Sequence, residues 1–228
     1  MPAATHPLRI VTCWDDGNLD DIRLCELFRK YAAKATFNLN PGSHRAERYE
    51  VWKYEDTYPV LRLSWSEIPA VYEGFTIANH TVTHPWASKI SLDEWRAEVV
   101  DGRKQLQDHF QQPVLGFAYP FGDYTPETAR IVGEAGHVYA RTCISATPCF
   151  PPADPLLMPS DCHHADPAFW ERYAEAKLTP GGVFYFWGHS YEFTNEQQWA
   201  AIEEKIARIS ADPDATWANL PDLFTPSI

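Results

Sequence analysis

The sequence predicts an α/β protein: a single-domain distorted (β/α) barrel with about seven parallel strands. Short apolar, β-rich runs alternate with helical runs, and no repeat or Gly/Ser linker divides them. The length, 228 residues, suits one large domain, read as 1–228. Acids and imidazoles fall just beyond the C-terminal end of strand after strand, where such barrels carry their sites. Aromatic residues at 14% exclude a disordered chain, and 19 prolines argue against an all-helical bundle.

Residues 8–14 (LRIVTCW) read as a buried strand, and 19–31 follow with Ile22, Leu24, Leu27 and Phe28 at helical spacing. Residues 35–39 are the next strand. The stretch 40–63 is polar, aromatic and irregular, long enough to wall one side of a cleft or to serve contacts in a homo-oligomer. A short helix over 66–72 precedes a strand at 75–78. Ser91 and Glu94 form a capping-box pattern before a helix running to about Phe110. A strand at 115–118 leads to Thr125-Pro126, an N-cap with proline at the first helical position, and a helix that ends before Gly136. Residues 138–142 form a strand, and 143–165 are proline-rich and irregular. A helix over 169–178, a strand at 182–187, a helix over 195–209 and a last short strand at 216–219 complete the alternation. Strand–helix order of this kind implies right-handed crossovers and a mostly parallel sheet.

Charge and cysteines limit the function classes. A net charge of −12 opposes binding to nucleic acid or to an anionic membrane, and favours neutral or cationic substrates. No run of about 18 apolar residues is present to span a bilayer. The N-terminal residues lack a basic cluster followed by an apolar run, so a cytoplasmic protein is expected. The five cysteines are odd in number, scattered and without C-x-x-C, which reads as thiols in a reducing compartment.

The strand ends carry the chemistry. Asp15-Asp16-Gly17 closes the first strand; two adjacent carboxylates repel unless a cation relieves them, and Gly17 lets the chain turn. His80 and His84 flank Thr-Val-Thr, a poor helix former, so they sit on a turn. Two neutral imidazoles with one carboxylate make an open catalytic metal set. Asp16 can supply that carboxylate, which leaves Asp15 as a base and His189, after Trp187-Gly188, as an acid. Zinc suits this donor set best, and cobalt, manganese, nickel or iron also fit it. Tyr119 and Trp187 are the rim aromatics counted as substrate-binding candidates.

These residues resemble the motifs of the polysaccharide deacetylases, carbohydrate esterase family 4, over nearly the whole chain. The matching stretches are Cys13-Trp14-Asp15-Asp16-Gly17, His80-Thr81-Val82-Thr83-His84, Ala118-Tyr119-Pro120-Phe121-Gly122 and Trp187-Gly188-His189. The resemblance implies a distorted (β/α) barrel and a metal-dependent hydrolase that removes an N- or O-acetyl group from a carbohydrate. It assigns Asp15 as catalytic base, Asp16, His80 and His84 as metal ligands, His189 as general acid and the Phe121 N–H as oxyanion donor. Two departures follow. Ala118 stands where the family has an arginine that pairs with the base, and Arg141, at the end of the next strand, is expected to replace it. The aspartate that tunes the acid histidine is not recognisable, and Asp161 or Glu192 is expected in its place. His163 and His164 read as part of a solvated loop. Two other readings stand beside this one: an amidohydrolase or deformylase acting on a small intracellular amide, and a catalytically impaired carbohydrate-binding relative.

Overall fold

The computed structural model describes residues 7–179 and 181–224; the remaining positions of the expected 1–228 unit, with the N-terminal reading made on them, lie outside the described residues. In chain order the elements are β1 (Leu8–Asp15), α1 (Asp21–Lys30), β2 (Thr36–Leu39), β3 (Tyr49–Tyr54), β4 (Tyr58–Arg62), α2 (Ile68–Val71), β5 (Thr76–Asn79), α3 (Leu92–Phe110) and β6 (Gly116–Ala118). They continue with α4 (Pro126–Glu134), β7 (Tyr139–Ser145), β8 (Met158–Ser160), β9 (Cys162–His163), α5 (Phe169–Leu178), β10 (Val183–Gly188), α6 (Glu196–Ser210) and β11 (Ala215–Trp217). The caps form as the sequence expects: Ser91 and Glu94 close a capping box on α3, and Thr125 accepts from the Thr128 N–H at the start of α4.

The main sheet runs β8-β7-β6-β5-β2-β1-β10-β9 with every neighbour parallel, and β11 pairs with the first half of β1. It wraps into a nearly closed barrel. Closure falls on one bent stretch of chain, where β8 pairs with β7, β9 pairs with β10, and Asp161 lies between them. The Asp161 N–H donates to the Tyr185 carbonyl at 2.8 Å, and its carboxylate accepts from the Tyr185 N–H at 2.7 Å. Residues 143–165 are therefore not irregular throughout: they supply the strands that close the sheet, and the strand count exceeds seven. The stretch 40–63 is also more ordered than expected, since β3 and β4 form an antiparallel hairpin. Its turn places Glu55 and Asp56 at φ 49° and 59° without the Asn-Gly or Asp-Gly pair that marks such turns in a sequence.

Strand alternation sorts β1 between two surroundings. Ile10 and Trp14 join the large apolar core with α1, α5 and α6, whereas Val11 and Cys13 face Tyr139, Met158 and Tyr185. Asp15 continues the second set at the strand's C-terminal end. No helix among the described residues is long and apolar enough to cross a membrane.

Candidate active site

The C-terminal ends of β1, β2, β5 and β10, with Arg141 in β7, converge on the Asp15 carboxylate, which is 2% exposed. Asn38, its register partner on β2, donates from Nδ2 to Asp15 Oδ1 at 2.6 Å. Arg141 donates from Nη2 to Asp15 Oδ2 in an ion pair closed to solvent on both sides. Ala118 and Arg141 are direct register partners on β6 and β7, so the guanidinium missing from one strand is supplied from the adjacent position of the next. The Arg141 guanidinium also lies over the Trp187 ring, 4.2 Å from its centroid. Burial alone would raise the Asp15 carboxyl; Arg141, with His80 and His189, holds it below the usual aspartate value.

Asp16 sits at φ 84° and Gly17 at φ 68°, a left-handed turn that redirects the chain directly after β1. A Cβ on Gly17 would come within 2.8 Å of the His44 ring, so a larger residue there meets both strain and contact. Thr81, His84 and Phe121 share positive φ values of 66°, 65° and 59°. Such backbone costs about 1–3 kcal/mol per residue, and it gathers here around one set of side chains.

Asp16, His80 and His84 bring one oxygen and two nitrogens within 4.8 Å of one another. His80 Nδ1 lies 2.8 Å from the Ala118 carbonyl, which can only accept, so the proton is on Nδ1 and the Nε2 lone pair faces the cluster. His84 Nε2 stands 3.1 Å from His80 Nε2 and 3.8 Å from Asp16 Oδ1. Ligand atoms on a tetrahedral zinc at ordinary bond lengths stand about 3.3 Å apart, so this donor set fits a divalent metal with little adjustment. Burial pushes the His84 imidazole down to about 4, helped by the neighbouring His80, which keeps it neutral. Burial opposes ionisation of Asp16 as well, but Arg62, with the histidines, holds its carboxyl low. Arg62 Nη2 comes to 3.4 Å from Asp16 Oδ1.

His189 faces the base from the far side, with Nε2 3.8 Å from Asp15 Oδ2. Its Nδ1 lies 3.2 Å from Glu192 Oε1. Of the two acids expected to partner His189, Glu192 takes the position; Asp161 is engaged with the Tyr185 N–H and with Cys149 Sγ, which donates at 2.9 Å. Burial would lower the His189 imidazole, but Glu192 foremost, then Asp15 and Asp16, raise it above its ordinary value. His164 is no part of a solvated loop: it is buried and bonds to Glu192, as His163 does from a more exposed position.

The rim aromatics differ from expectation. Tyr119 is fully buried in the core beside Phe117, and its hydroxyl donates to the Leu156 carbonyl at 2.9 Å, so it is closed to a sugar. Trp187 is part-exposed between Arg141 and His189. The accessible platform is instead Trp86 stacked on Phe121, with centroids 4.1 Å apart and both rings 40% or more exposed. The Phe121 ring packs against His84 at 4.4 Å. Among the backbone bonds of the described residues, the Phe121 N–H has no acceptor. Sequence reasoning missed Asn38, although the strand-end rule covers it. It also missed Arg62, which reaches Asp16 from the unforeseen hairpin.

A family model described as Polysaccharide deacetylase matches residues 3–140. The chain belongs to the polysaccharide deacetylase family. The match ends just before Arg141, so Arg141 and Glu192 lie beyond it. Solved structures with a similar fold include the Bc1960 peptidoglycan N-acetylglucosamine deacetylase, 16% identical, TM-score 0.61, covering 98% of this chain and 91% of that one. Another is the Xyl-CE4 domain of a multidomain xylanase from the hindgut metagenome of Trinervitermes trinervoides, 15% identical, TM-score 0.59, covering 96% and 90%. A third is BA3943, a CE4 family pseudoenzyme from Bacillus anthracis, 16% identical, TM-score 0.59, covering 97% and 66%. The chain spans only 55% of the Streptococcus pyogenes deacetylase PplD, at 24% identity and TM-score 0.49. No curated protein matches the chain.

Proposed function

We propose that this polysaccharide deacetylase family member is a divalent-metal-dependent hydrolase, zinc being the first choice, that removes an acetyl group from an acetylated carbohydrate. One observation carries the reading: Asp15 is ion-paired to a buried arginine and flanked by His189, beside a two-histidine, one-aspartate donor set. Arg141 supplies the charge absent at Ala118, which argues against a catalytically impaired relative. The exposed Trp86–Phe121 stack offers an apolar face of the kind sugar rings pack against, and favours a carbohydrate over a small aliphatic amide.

Asp16, His80 and His84 are the residues to hold the metal, which supplies a polarised acyl carbonyl and an acidified water. Asp15, kept ionised by Arg141 and Asn38, accepts the water's proton as the oxygen attacks the acyl carbon. The Phe121 N–H donates to the acyl oxygen as negative charge develops there. His189, protonated and held by Glu192, delivers a proton to the departing nitrogen or oxygen of the sugar. An ionised carboxylate base opposite an imidazolium acid is a workable pair near neutral pH.

The test is acetate release from acetylated oligosaccharides, nucleotide sugars and small amides by zinc-loaded protein. Turnover on an acetylated sugar is expected. Asp15→Asn is expected to lose at least about 10²-fold in kcat while keeping its metal. Unchanged turnover in that variant removes Asp15 as the base, and turnover on small amides alone replaces the carbohydrate reading.

A further inference from the structure

Glu192 is crowded beyond what one catalytic histidine requires. Its Oε2 lies 2.6 Å from His164 Nε2 and 3.1 Å from His163 Nε2, while Oε1 faces His189 Nδ1. Three imidazoles therefore compete for one carboxylate. The two rings on Oε2 come from consecutive residues at the end of β9, their centroids 4.4 Å apart. Gly188 makes room for this arrangement, since a Cβ there would come within 2.2 Å of the His164 ring. One nitrogen from each of these two rings and a Glu192 oxygen lie within 4.8 Å of one another, the same compactness as the set at Asp16, His80 and His84.

We propose that His163, His164 and Glu192 form a second divalent-cation site of the zinc type, separate from the first, with His189 standing between Glu192 and Asp15. Two imidazoles and a carboxylate are a ligand set zinc accepts, with a fourth position open to water. The two Glu192–histidine separations, 2.6 and 3.1 Å, would widen toward about 3.4 Å around a tetrahedral ion. Access is present: His163 is part-exposed, and a cavity of about 230 Å³ bordered by Tyr54, Gln198 and the three ligands opens beside the cluster. Lys205 also borders the cavity, but its ammonium donates to the His164 carbonyl, on the backbone side of that ligand. The net charge of −12 raises the local cation concentration further.

Occupancy has a consequence that rests on the reading of His189 as acid. A cation on Oε2 draws charge from the carboxylate that supports His189, so filling the second site is expected to slow turnover. The test uses metal-free full-length protein titrated with Zn²⁺ and, in parallel, with Co²⁺ followed by visible absorption. Two equivalents are expected in the wild type. His163→Gln, which keeps a hydrogen bond to Glu192 but is a poor zinc ligand, is expected to retain the first equivalent and lose the second. Asp16→Asn is expected to weaken the tighter site and spare the weaker one. Acetate release is expected to fall as the second equivalent binds in the wild type, and not to fall in His163→Gln. A single equivalent in the wild type, or two in His163→Gln, overturns the site. If both equivalents bind as predicted and no substrate is turned over at any zinc level, the second site stands and the proposed function falls instead.

Discussion

Arg141 and Asp15 are each about 1–2% exposed, and removing either partner strands the other charge out of water. Arg141→Ala is therefore expected to destabilise the protein by about 3–5 kcal/mol in urea unfolding. It should also lower kcat/KM by about 10²-fold or more in acetate release. Arg141→Lys is expected to recover little, because a lysine cannot reproduce the guanidinium's place over the Trp187 ring and on Asp15 together. The pH profile follows from the same neighbours. In the proposed mechanism Asp15 acts ionised, and its value is lowered, so activity is expected to be retained well below neutrality on the acid side. His189, the proposed acid, acts protonated, and its value is raised above 6.5, so activity is expected to be lost as pH rises through that higher value. Glu192→Gln removes the strongest raising influence, and the alkaline limb of kcat/KM is expected to move to lower pH while the acid limb stays. At this scale the sequence exposes Asp15, Asp16, His80, His84 and His189 because each ends a strand or lies in the turn that follows one. It leaves Glu192 and Asp161 equivalent, since both are acids in irregular stretches and only the path of β9 past β10 separates their roles.

The elements act as positioning devices. Asp21 opens α1 fully buried, accepting from the Ser190 and Tyr72 hydroxyls at 2.6 Å, so it ties the base of α1 to the turn after β10. Burial raises its carboxyl from 3.8 to about 7. The unfolded chain releases this proton first, so the stability it contributes is complete below 3.8 and is lost as pH rises through about 7. Thermal unfolding at pH 5 and pH 8 is expected to show a fall in Tm that Asp21→Asn reduces. Between β6 and α4, the left-handed Phe121 and the Trp86 stack present an apolar surface beside His84. Trp86→Ala is expected to raise KM for an acetylated oligosaccharide about 5- to 10-fold with little change in kcat, since loss of uniform binding acts on KM. Helix caps at Ser91 and Thr125 were legible because capping chemistry is local. The β3–β4 hairpin was not, because its turn residues carry no strong signal and its value lies in the distant Arg62–Asp16 contact.

For the molecule as a whole, the proposed metal would couple to the fold: an ion that binds only the folded chain stabilises it by mass action. At about 100-fold over its dissociation constant, zinc is expected to add about 2.7 kcal/mol. For a chain of this size that raises Tm by about 5–10 °C, and EDTA is expected to reverse it in a scanning fluorescence or calorimetric measurement. The sequence alone determined the alternating α/β order, the barrel class, the family motifs and the placing of Asp15, Asp16, His80, His84 and His189 at strand ends. All of these are written in local pattern: apolar period, cap chemistry and short motifs. Only the tertiary structure decided that Arg141, in register with Ala118, pairs with Asp15, that Glu192 rather than Asp161 contacts His189, that Tyr119 is core, and that residues 158–163 close the sheet. Those outcomes depend on register between parallel strands and on which buried polar group finds a partner, and neither is written in the spacing of residues along the chain.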